Sequence, residues 1–376
     1  MDRFLARPRA CGCLLLAIAL LAGAASRVGA AMMHSNFPRP EAIEPNVEFW
    51  VDVFTRYSDR DFIVMDRTQV ERIYQILHLP GDGPPSWADV DSTNEYLKTK
   101  YTEILTRLAA HGAPADFEEK AVAALFKSQR HPDYAAAVQN LRVQQGMREQ
   151  FRASLVRARF YLPRIEHIFQ DFDLPAELAL LPVVESGFRP DARSKAGALG
   201  LWQFTRATAK SYLQVNRWND ERLDPQRATE AAAKLLAHNH DMLGDWPLAI
   251  TAYDYGTGGM MQAVEATNGG NLFDIVRTYE GPHFGFASKN YYAEFLAALQ
   301  VWNNREMYFP GIDAEPPVQE MPTPRLLRAS VHIYRRAVGS PLRRVALINH
   351  RRRIVHGRHH VPVRRYRRRV KPMREA

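Results

Sequence analysis

Cysteine is almost absent from this chain of 376 residues, which has only Cys11 and Cys13. Both residues come at or before the start of an apolar run instead of closing it, which argues against lipid attachment at either one. Cleavage after Ala30 would leave a chain with no cysteine and therefore no disulfides. We expect the fold to rest on packing alone, and a content of 46% hydrophobic residues is enough for a sizeable core.

A long hydrophobic run is also missing. The apolar stretch from Cys13 to Ala25 is too short to span a membrane comfortably. Three arginines precede it, and a Val-Gly-Ala sequence that ends at Ala30 follows it with the small residues that a signal peptidase reads. The pattern predicts an export signal over residues 1–30. The alternative is a membrane anchor that is not cleaved.

Residue patterns that bind metals or phosphates are missing as well. His238 and His240 lie on a predicted exposed turn of helix, and His359 and His360 have no supporting ligands nearby in the sequence. The glycine-containing stretches match no phosphate-binding loop. The sequence therefore predicts no metal and no cofactor.

Charge is distributed unevenly along the chain. Residues 325–376 contain 17 Lys and Arg residues and one acid, a balance of +16. Residues 1–30 contribute four arginines against Asp2, or +3. Subtracting both from the formal net charge of +9 leaves −10 for residues 31–324. An acidic body therefore precedes a strongly basic tail.

Apolar residues recur mostly at helical spacing between Val47 and about Tyr308, and alternating β-pattern is scarce. The predicted fold class is therefore all-α. A proline-glycine cluster at residues 80–85 interrupts the pattern, and the long helix is predicted to split near Pro163. The spacing predicts helices over 47–54, 70–77, 92–111, 117–128, 133–170 and 175–186.

Glu185 lies among apolar residues at the predicted end of a short helix, since it follows Leu178, Leu180, Leu181, Val183 and Val184. Loss of hydration disfavours the charged form of a carboxyl group and raises its pKa. A raised pKa is what a general acid needs in order to hold a proton near neutral pH. The alternative is a solvated glutamate at a helix end.

Four sequence blocks around and after Glu185 together indicate a family. They are Glu185-Ser186-Gly187-Phe188, the run from Gly197 to Phe204, Ala252-Tyr253-Asp254-Tyr255-Gly256, and Asn290-Tyr291-Tyr292. In this order and spacing the chain resembles the lytic transglycosylases, specifically the membrane-bound type D group. The resemblance covers roughly residues 160–310 and implies a helical catalytic domain with a goose-lysozyme-like fold.

The resemblance also implies a domain organisation for the rest of the chain. We expect a helical lead-in over residues 44–160, a catalytic domain over 161–310, a proline-rich linker over 311–324 and a basic tail over 325–376. The tail contains a partial match to a lysin-motif-like repeat, which would bind glycan. The alternatives are disorder and purely electrostatic adhesion to anionic lipid or wall polymers.

The chemistry implied by the resemblance uses one carboxyl group twice. Glu185 would protonate the glycosidic oxygen that leaves N-acetylmuramic acid, and its carboxylate would then take a proton from the C6 hydroxyl of the same sugar. That hydroxyl closes onto C1 to give a 1,6-anhydro product without consuming water. One carboxylate would therefore suffice where ordinary glycosidases use two.

The other site residues implied by the family are candidates for substrate binding. Ser186 would place a hydroxyl near the substrate N-acetyl group. Gly200, like Gly197, would let the backbone approach the sugar, and Gln203 would offer a donor and an acceptor to it. Tyr253 and Tyr291 would hold Glu185 through their hydroxyls. Trp202 is either a core aromatic or a surface for stacking on the substrate.

Asp254 departs from the family pattern, in which the third block usually reads Ala-Tyr-Asn. A carboxylate facing the cleft would raise the pKa of Glu185 by repulsion between like charges. It would also be able to position a water molecule and favour hydrolysis. The alternative is a structural cap.

The predicted function is that of an exported peptidoglycan lytic transglycosylase, located in the periplasm or outer cell envelope and associated with the membrane through its tail or anchor. The expected partner is the peptidoglycan glycan strand, and we expect a monomer that binds no nucleic acid, because nucleic-acid binding suits the charge of the tail but not the export signal. Two alternatives stay open: a goose-type lysozyme-like hydrolase, and a wall-binding protein that has lost catalysis.

Overall fold

The structure is a computed structural model that describes residues 36–316 apart from Ser128 and Arg130. The predictions for residues 1–30 and for the tail lie outside the described residues. The helices are α1 (Glu44–Thr55), α2 (Trp87–His111), α3 (Phe117–Ala124), α4 (Tyr134–Asn140), α5 (Arg148–Asp171), α6 (Pro182–Glu185), α7 (Arg206–Ala209), α8 (Pro225–Leu243), α9 (Trp246–Tyr255), α10 (Thr257–Ala266), α11 (Leu272–Thr278), α12 (Phe286–Asn303) and α13 (Arg305–Tyr308). In this part of the chain, no helix is both long and apolar enough to cross a membrane.

Helices dominate the described residues, which confirms the predicted helical fold class, but a small sheet was not foreseen. Strands β1 (Asp61–Asp66), β2 (Gln69–His78) and β3 (Leu141–Gln145) form an antiparallel sheet in the order β2-β1-β3. Every residue of β1 after the first is buried. The central strand is therefore covered on both faces, as its continuous apolar sequence requires.

The predicted helix over residues 70–77 is wrong, because this segment is strand β2. Its apolar residues do not alternate, for two physical reasons. The pairing with β1 is irregular on either side of Met65, and a bulge of this kind shifts which face a side chain points to. Ile73 also packs against one core, whereas Tyr74 and Leu77 pack against another. Burial on both faces produced a spacing that resembles a helix.

The predicted helix over residues 133–170 is interrupted, but not at Pro163. Pro163 lies inside α5, and the interruption is strand β3 with the turn after it. Gly146 occupies that turn, where its N–H donates to the carbonyl of Asp61 at 2.8 Å. Residues 141–145 therefore form a strand because β1 offers hydrogen-bond partners to their backbone.

Two hydrophobic cores lie on opposite faces of the sheet. Phe62 and Val64 of β1 belong to a smaller core with α2, α3 and α4, whereas Ile63 and Met65 belong to the larger core. The alternation follows from the two-residue period of a strand. The lead-in and the segment that contains Glu185 therefore share one continuous core.

Helix α12 is fixed to the first helix of the lead-in by a buried amide. The side-chain carbonyl of Asn290 accepts hydrogen bonds from the Trp50 indole at 3.2 Å and from the Asn46 amide at 2.9 Å. Its own amide donates to the carbonyl of Phe286 at 2.9 Å. Since a buried polar group that is left unpaired is costly, this arrangement fixes the position of α12 against α1.

Trp202 is a core residue and not a surface for stacking on a substrate. Its ring is fully buried and lies 5.5 Å from the ring of Phe169. Its indole N–H donates to the hydroxyl of Thr229 at 2.9 Å. Thr229 belongs to α8, which Asp224 caps at its start and Gly244 ends in a left-handed conformation.

We predict that Gly146→Ala destabilises the protein by about 1–3 kcal/mol. A Cβ at this position would lie 2.2 Å from the carbonyl oxygen of Ser58 and 2.5 Å from that of Tyr57, and these backbone atoms are fixed by the sheet. Urea unfolding monitored by circular dichroism measures the effect. Gly285→Ala is the matched control, because a Cβ there meets nothing within 4 Å. Equal stability of the two variants would contradict the account.

Candidate active site

Glu185 is the last residue of the short helix α6, and a 3-10 turn precedes this helix. A 3-10 turn over Ala176–Leu180 leads into α6, and Pro182 occupies the first turn of that helix. Val183 is buried in the larger core, whereas Glu185 is partly exposed. The carboxyl group is therefore held next to apolar packing in a residue that keeps part of its surface exposed.

Two tyrosines flank Glu185, but only one of them donates to it. The Tyr291 hydroxyl on α12 donates to Oε1 of Glu185. The Tyr253 hydroxyl on α9 donates instead to the carbonyl of Trp202 at 2.9 Å. Tyr253 therefore fixes the backbone beside the site, and its predicted hydrogen bond to Glu185 is not present.

The surroundings of Glu185 favour its protonated form. Burial raises the pKa of the Glu185 carboxyl to about 8, the hydrogen bond from Tyr291 opposes this effect, and the charge of Asp254 adds to it. Burial and the nearby Glu185 also hold the pKa values of Tyr253 and Tyr291 well above their usual range. The site therefore keeps a carboxylic acid between phenols that remain protonated.

Asp254 ties α9 to α12 and does not cap a helix. Its Oδ2 accepts a hydrogen bond from the Ser288 hydroxyl at 2.6 Å. Burial raises the pKa of Asp254, and the bond from Ser288 opposes this. The residue is nevertheless exposed, so solvent screens its charge. This explains why Asp254 is a smaller influence on the pKa of Glu185 than burial is.

Glu294 is a third carboxyl group in this cluster and was missed in the sequence. It lies on α12 three residues after Tyr291, which places the two side chains on neighbouring positions of one helix face. Burial raises the pKa of Glu294 to about 8, the charges of Asp254 and Glu185 add to the effect, and Arg142 opposes it. The three-residue spacing from Tyr291 is the signal that would have found it.

Gly200 is required by protein packing, and the approach of a sugar to its backbone stays a prediction. Its φ is +84°, and a Cβ would lie 1.8 Å from the carbonyl oxygen of Arg222. The Arg222 guanidinium is paired with Asp220 at 2.7 Å and donates to the carbonyls of Gly197 and Phe204, each at 3.1 Å. Arg222, which sequence reasoning did not single out, therefore holds the second block in shape.

Gln203 has its donor side occupied within the protein. Its amide nitrogen donates to the carbonyl of Gly200 at 2.8 Å and to that of Ala192 at 3.2 Å. Its side-chain oxygen accepts no hydrogen bond from the described residues, and the residue is partly exposed. Gln203 is therefore placed to offer an acceptor, whereas both a donor and an acceptor were predicted.

Ser186 links the end of α6 to the second block. Its buried hydroxyl donates to the carbonyl of Leu201 at 2.7 Å and accepts from the N–H of Arg189 at 3.1 Å. This placement fits a structural link, and the contact with a substrate N-acetyl group stays a prediction.

The described residues contain no set of three or more His, Cys, Asp or Glu side chains arranged to hold a metal ion. What the site offers is acid–base chemistry. A carboxylic acid whose pKa lies near 8 can release a proton to a leaving group, and as a carboxylate it can take one back.

Comparison with known proteins agrees with this geometry. Residues 170–273 match the Transglycosylase SLT domain family model. The match includes Glu185 and the second and third blocks and ends before α12, so Tyr291 and Glu294 lie beyond it.

Curated relatives share the same region. The chain is 32% identical over 155 residues to the membrane-bound lytic murein transglycosylase D of Escherichia coli (strain K12), which covers 41% of this chain and 34% of that protein. It is 40% identical over 110 residues to a putative tributyltin chloride resistance protein of Alteromonas sp. (strain M-1), covering 29% of this chain and 53% of that one. It is 48% identical over 77 residues to the peptidoglycan transglycosylase gp16 of Escherichia phage T7, covering 20% and 6%.

The predicted resemblance to the lytic transglycosylases of the membrane-bound type D group is confirmed by these matches. The chain spans about a third of the length of the E. coli relative. The SLT domain also agrees with the predicted helical, lysozyme-like fold.

We predict opposite shifts in the pKa of Glu185 for two substitutions beside it. Asp254→Asn removes a nearby negative charge, which favours the carboxylate and lowers the pKa. Tyr291→Phe removes a donor that stabilises the carboxylate and raises the pKa. Titration of ¹³C-labelled glutamate carboxyl groups by NMR, with the Glu185 signal assigned by its loss in Glu185→Gln, measures both.

Asp89→Asn is the control for these shifts, because it removes an exposed carboxylate at the start of α2 that exerts no effect on Glu185. Shifts in the same direction for the two test variants, or a wild-type pKa near 4.5, would contradict the account.

Proposed function

We propose that this protein is a peptidoglycan lytic transglycosylase that cleaves the β-1,4 bond between N-acetylmuramic acid and N-acetylglucosamine and leaves 1,6-anhydro ends. The observation that carries the proposal is the Glu185 carboxyl, which lies in an SLT domain, is partly exposed, accepts a hydrogen bond from Tyr291 and has a pKa raised to about 8. A protonated acid at neutral pH is the group that this reaction needs first.

The first step is proton transfer from Glu185 to the glycosidic oxygen as the bond between C1 of the muramyl sugar and that oxygen breaks. The leaving sugar departs with a free hydroxyl, and positive charge develops at C1. Glu185 becomes a carboxylate, which the hydrogen bond from the Tyr291 hydroxyl stabilises. Tyr291 therefore stabilises the form of Glu185 that exists between the two steps.

In the second step the Glu185 carboxylate accepts the proton of the C6 hydroxyl while the oxygen of that hydroxyl bonds to C1. The 1,6-anhydro ring closes, Glu185 regains its proton, and no water is consumed. The proton balance explains how one carboxyl group serves both steps. Burial and the bond from Tyr291 act in opposite directions on the pKa of Glu185, which suits a group that must first donate and then accept.

A hydrolase of the same fold is the second candidate, and the carboxyl groups near Glu185 are the reason to keep it. Asp254 is exposed and fixed by Ser288, so it is placed to orient a water molecule. Hydrolases that invert or retain the sugar configuration use two carboxyl groups. The products distinguish the two reactions, because only water attack leaves a reducing end.

A wall-binding protein without catalysis is disfavoured by the intact contact between Glu185 and Tyr291. A binding protein gains nothing from a carboxyl group kept protonated at neutral pH, since burying it costs stability.

We further propose that the protein acts in the cell envelope, where its peptidoglycan substrate is, and that it works as a monomer. The E. coli relative is named as a membrane-bound protein.

We predict that Glu185→Gln lowers the rate of murein cleavage by roughly 10²–10⁴-fold while binding to insoluble murein is retained. Glutamine keeps the shape of the side chain and its hydrogen bond to Tyr291 but cannot transfer a proton. Release of soluble muropeptides and co-sedimentation with murein measure the two quantities. Glu265→Gln, on the exposed surface of α10, is the matched control. Full activity of Glu185→Gln would overturn the assignment.

We predict that wild-type protein and Asp254→Asn both produce mainly 1,6-anhydro ends from purified murein. Asparagine stands at this position in the usual family pattern, and the Glu185 mechanism requires no second carboxylate. Mass spectrometry distinguishes the products, because a hydrolysed end is heavier than an anhydro end by one water. Reducing ends as the main wild-type product, replaced by anhydro ends in Asp254→Asn, would instead establish a hydrolase that depends on Asp254.

A further inference from the structure

Arg142 connects the lead-in sheet to the helix that carries Tyr291. It lies on edge strand β3, between Leu141 and Val143, which pack against the smaller core. Because strand side chains alternate, Arg142 points to the other face of the sheet. There its guanidinium carbon lies 3.9 Å from the centre of the Phe286 ring at the start of α12.

The Arg142 guanidinium has no anionic partner among the described residues. Its Nε is buried without a hydrogen-bond partner, and its Nη2 makes one long bond of 3.4 Å to the side-chain oxygen of Gln144. Burial lowers the pKa of Arg142, which shows that its charge is poorly solvated. A partly buried cation that is not compensated is costly, because its lost hydration is not replaced.

Arg72 shows how the same protein stabilises a similar arginine. It lies 4.1 Å from the centre of the Phe126 ring in the smaller core, and its guanidinium is paired with Asp66 at 3.2 Å. Both arginines therefore stack on an aromatic ring beside the sheet, Arg72 on the buried Phe126 and Arg142 on the partly buried Phe286. Of these two arginines, only Arg72 has a carboxylate within ion-pair distance.

Glu294, the acid whose charge acts on Arg142, does not supply that partner. Glu294 interacts with Arg142 through charge but lies beyond ion-pair distance, and it is also affected by the charge of Glu185. Below about pH 8 burial keeps Glu294 protonated. Glu294 also follows Tyr291 on one face of α12, and it interacts through charge with both Glu185 and Arg142.

We propose that Arg142 binds a carboxylate carried by the muramyl part of the glycan strand, and that the lead-in sheet thereby forms one wall of the substrate cleft. Nη1 makes no hydrogen bond to the described residues and Nη2 makes only the long bond to Gln144, so the end of the planar guanidinium, stacked on Phe286, is suited to a bidentate contact with a carboxylate. A neutral sugar chain offers no such group. This inference rests on the proposed function and names the substrate feature that the site would select.

The test is calorimetric binding to the full chain carrying Glu185→Gln, which prevents turnover, with and without Arg142→Met. Three ligands are compared: a murein tetrasaccharide with stem peptides, the same tetrasaccharide after an amidase has left free lactyl carboxylates, and neutral chitotetraose. Methionine keeps apolar contact with Phe286 but removes the charge. We expect about 10-fold weaker binding of the carboxylate-bearing ligands and unchanged binding of chitotetraose.

The two murein ligands distinguish the source of the carboxylate. In the first ligand the lactyl carboxyl group is bound in an amide, so that ligand carries its free carboxylates on the stem peptide. A loss only with the first ligand assigns the contact to the stem peptide, a loss only with the second assigns it to the lactyl carboxylate, and a loss with both means that either carboxylate reaches Arg142. Arg72→Met is the matched control, and it should leave the ratio of affinities for charged and neutral ligands unchanged. Equal losses for all three ligands, or no loss for the charged ones, would overturn the proposal.

Arg142→Lys covers the case in which Arg142→Met does not fold. Lysine keeps the charge and the stem but not the planar fork, so selective weakening by a smaller factor is expected, and unchanged affinity for both murein ligands would contradict the proposal. Failure of the parent Glu185→Gln protein to bind any of the three ligands would instead count against the proposed function itself.

Discussion

The hydrogen bond from Tyr291 to Glu185 joins α12 to α6 inside a region that disfavours charge. Burial pushes the Glu185 carboxyl towards its protonated form, and the phenol stabilises the charged form, so the pKa settles near 8 instead of the ordinary value of 4.5. The chemistry proposed for this protein needs both forms of that one group in turn. Any shift of α12 relative to α6 would separate these two effects and leave a simple buried acid.

Much of the surrounding structure holds those two helices in place. Asn290, one residue before Tyr291, is fixed by Asn46 and Trp50 of the lead-in, and Tyr253 and Ser186 bind the second block on the other side. The arrangement has a cost in stability. Glu185 and Glu294 have folded pKa values raised to about 8, so their contribution is fully present below their unfolded value of 4.5 and is lost as the pH rises through about 8. A cluster retained at that cost is typical of a functional site.

The sequence was sufficient to predict the helical class, the resemblance and the location of Glu185, because helical periodicity and short ordered blocks are local signals. The sequence was not sufficient where tertiary contacts determine the secondary structure or the role of a residue. Residues 70–77 became a strand because β1 offered backbone partners and two cores lay on either side of the sheet. Ser186 and Gly200 have roles set by Leu201 and Arg222, which are close only in the fold. The spacing of Glu294 from Tyr291 places both residues on one helix face, but tertiary packing decides which face α12 turns towards Glu185 and where β3 places Arg142.

The central claim is that Glu185 must carry a proton before the substrate binds, and the pH dependence of kcat/KM for murein cleavage tests it most directly, since this quantity reports the free enzyme. The account predicts that kcat/KM falls as the pH rises, with an apparent pKa of about 8. A fall with an apparent pKa near 4.5, or no fall up to about pH 10, roughly two units above that value, would contradict it.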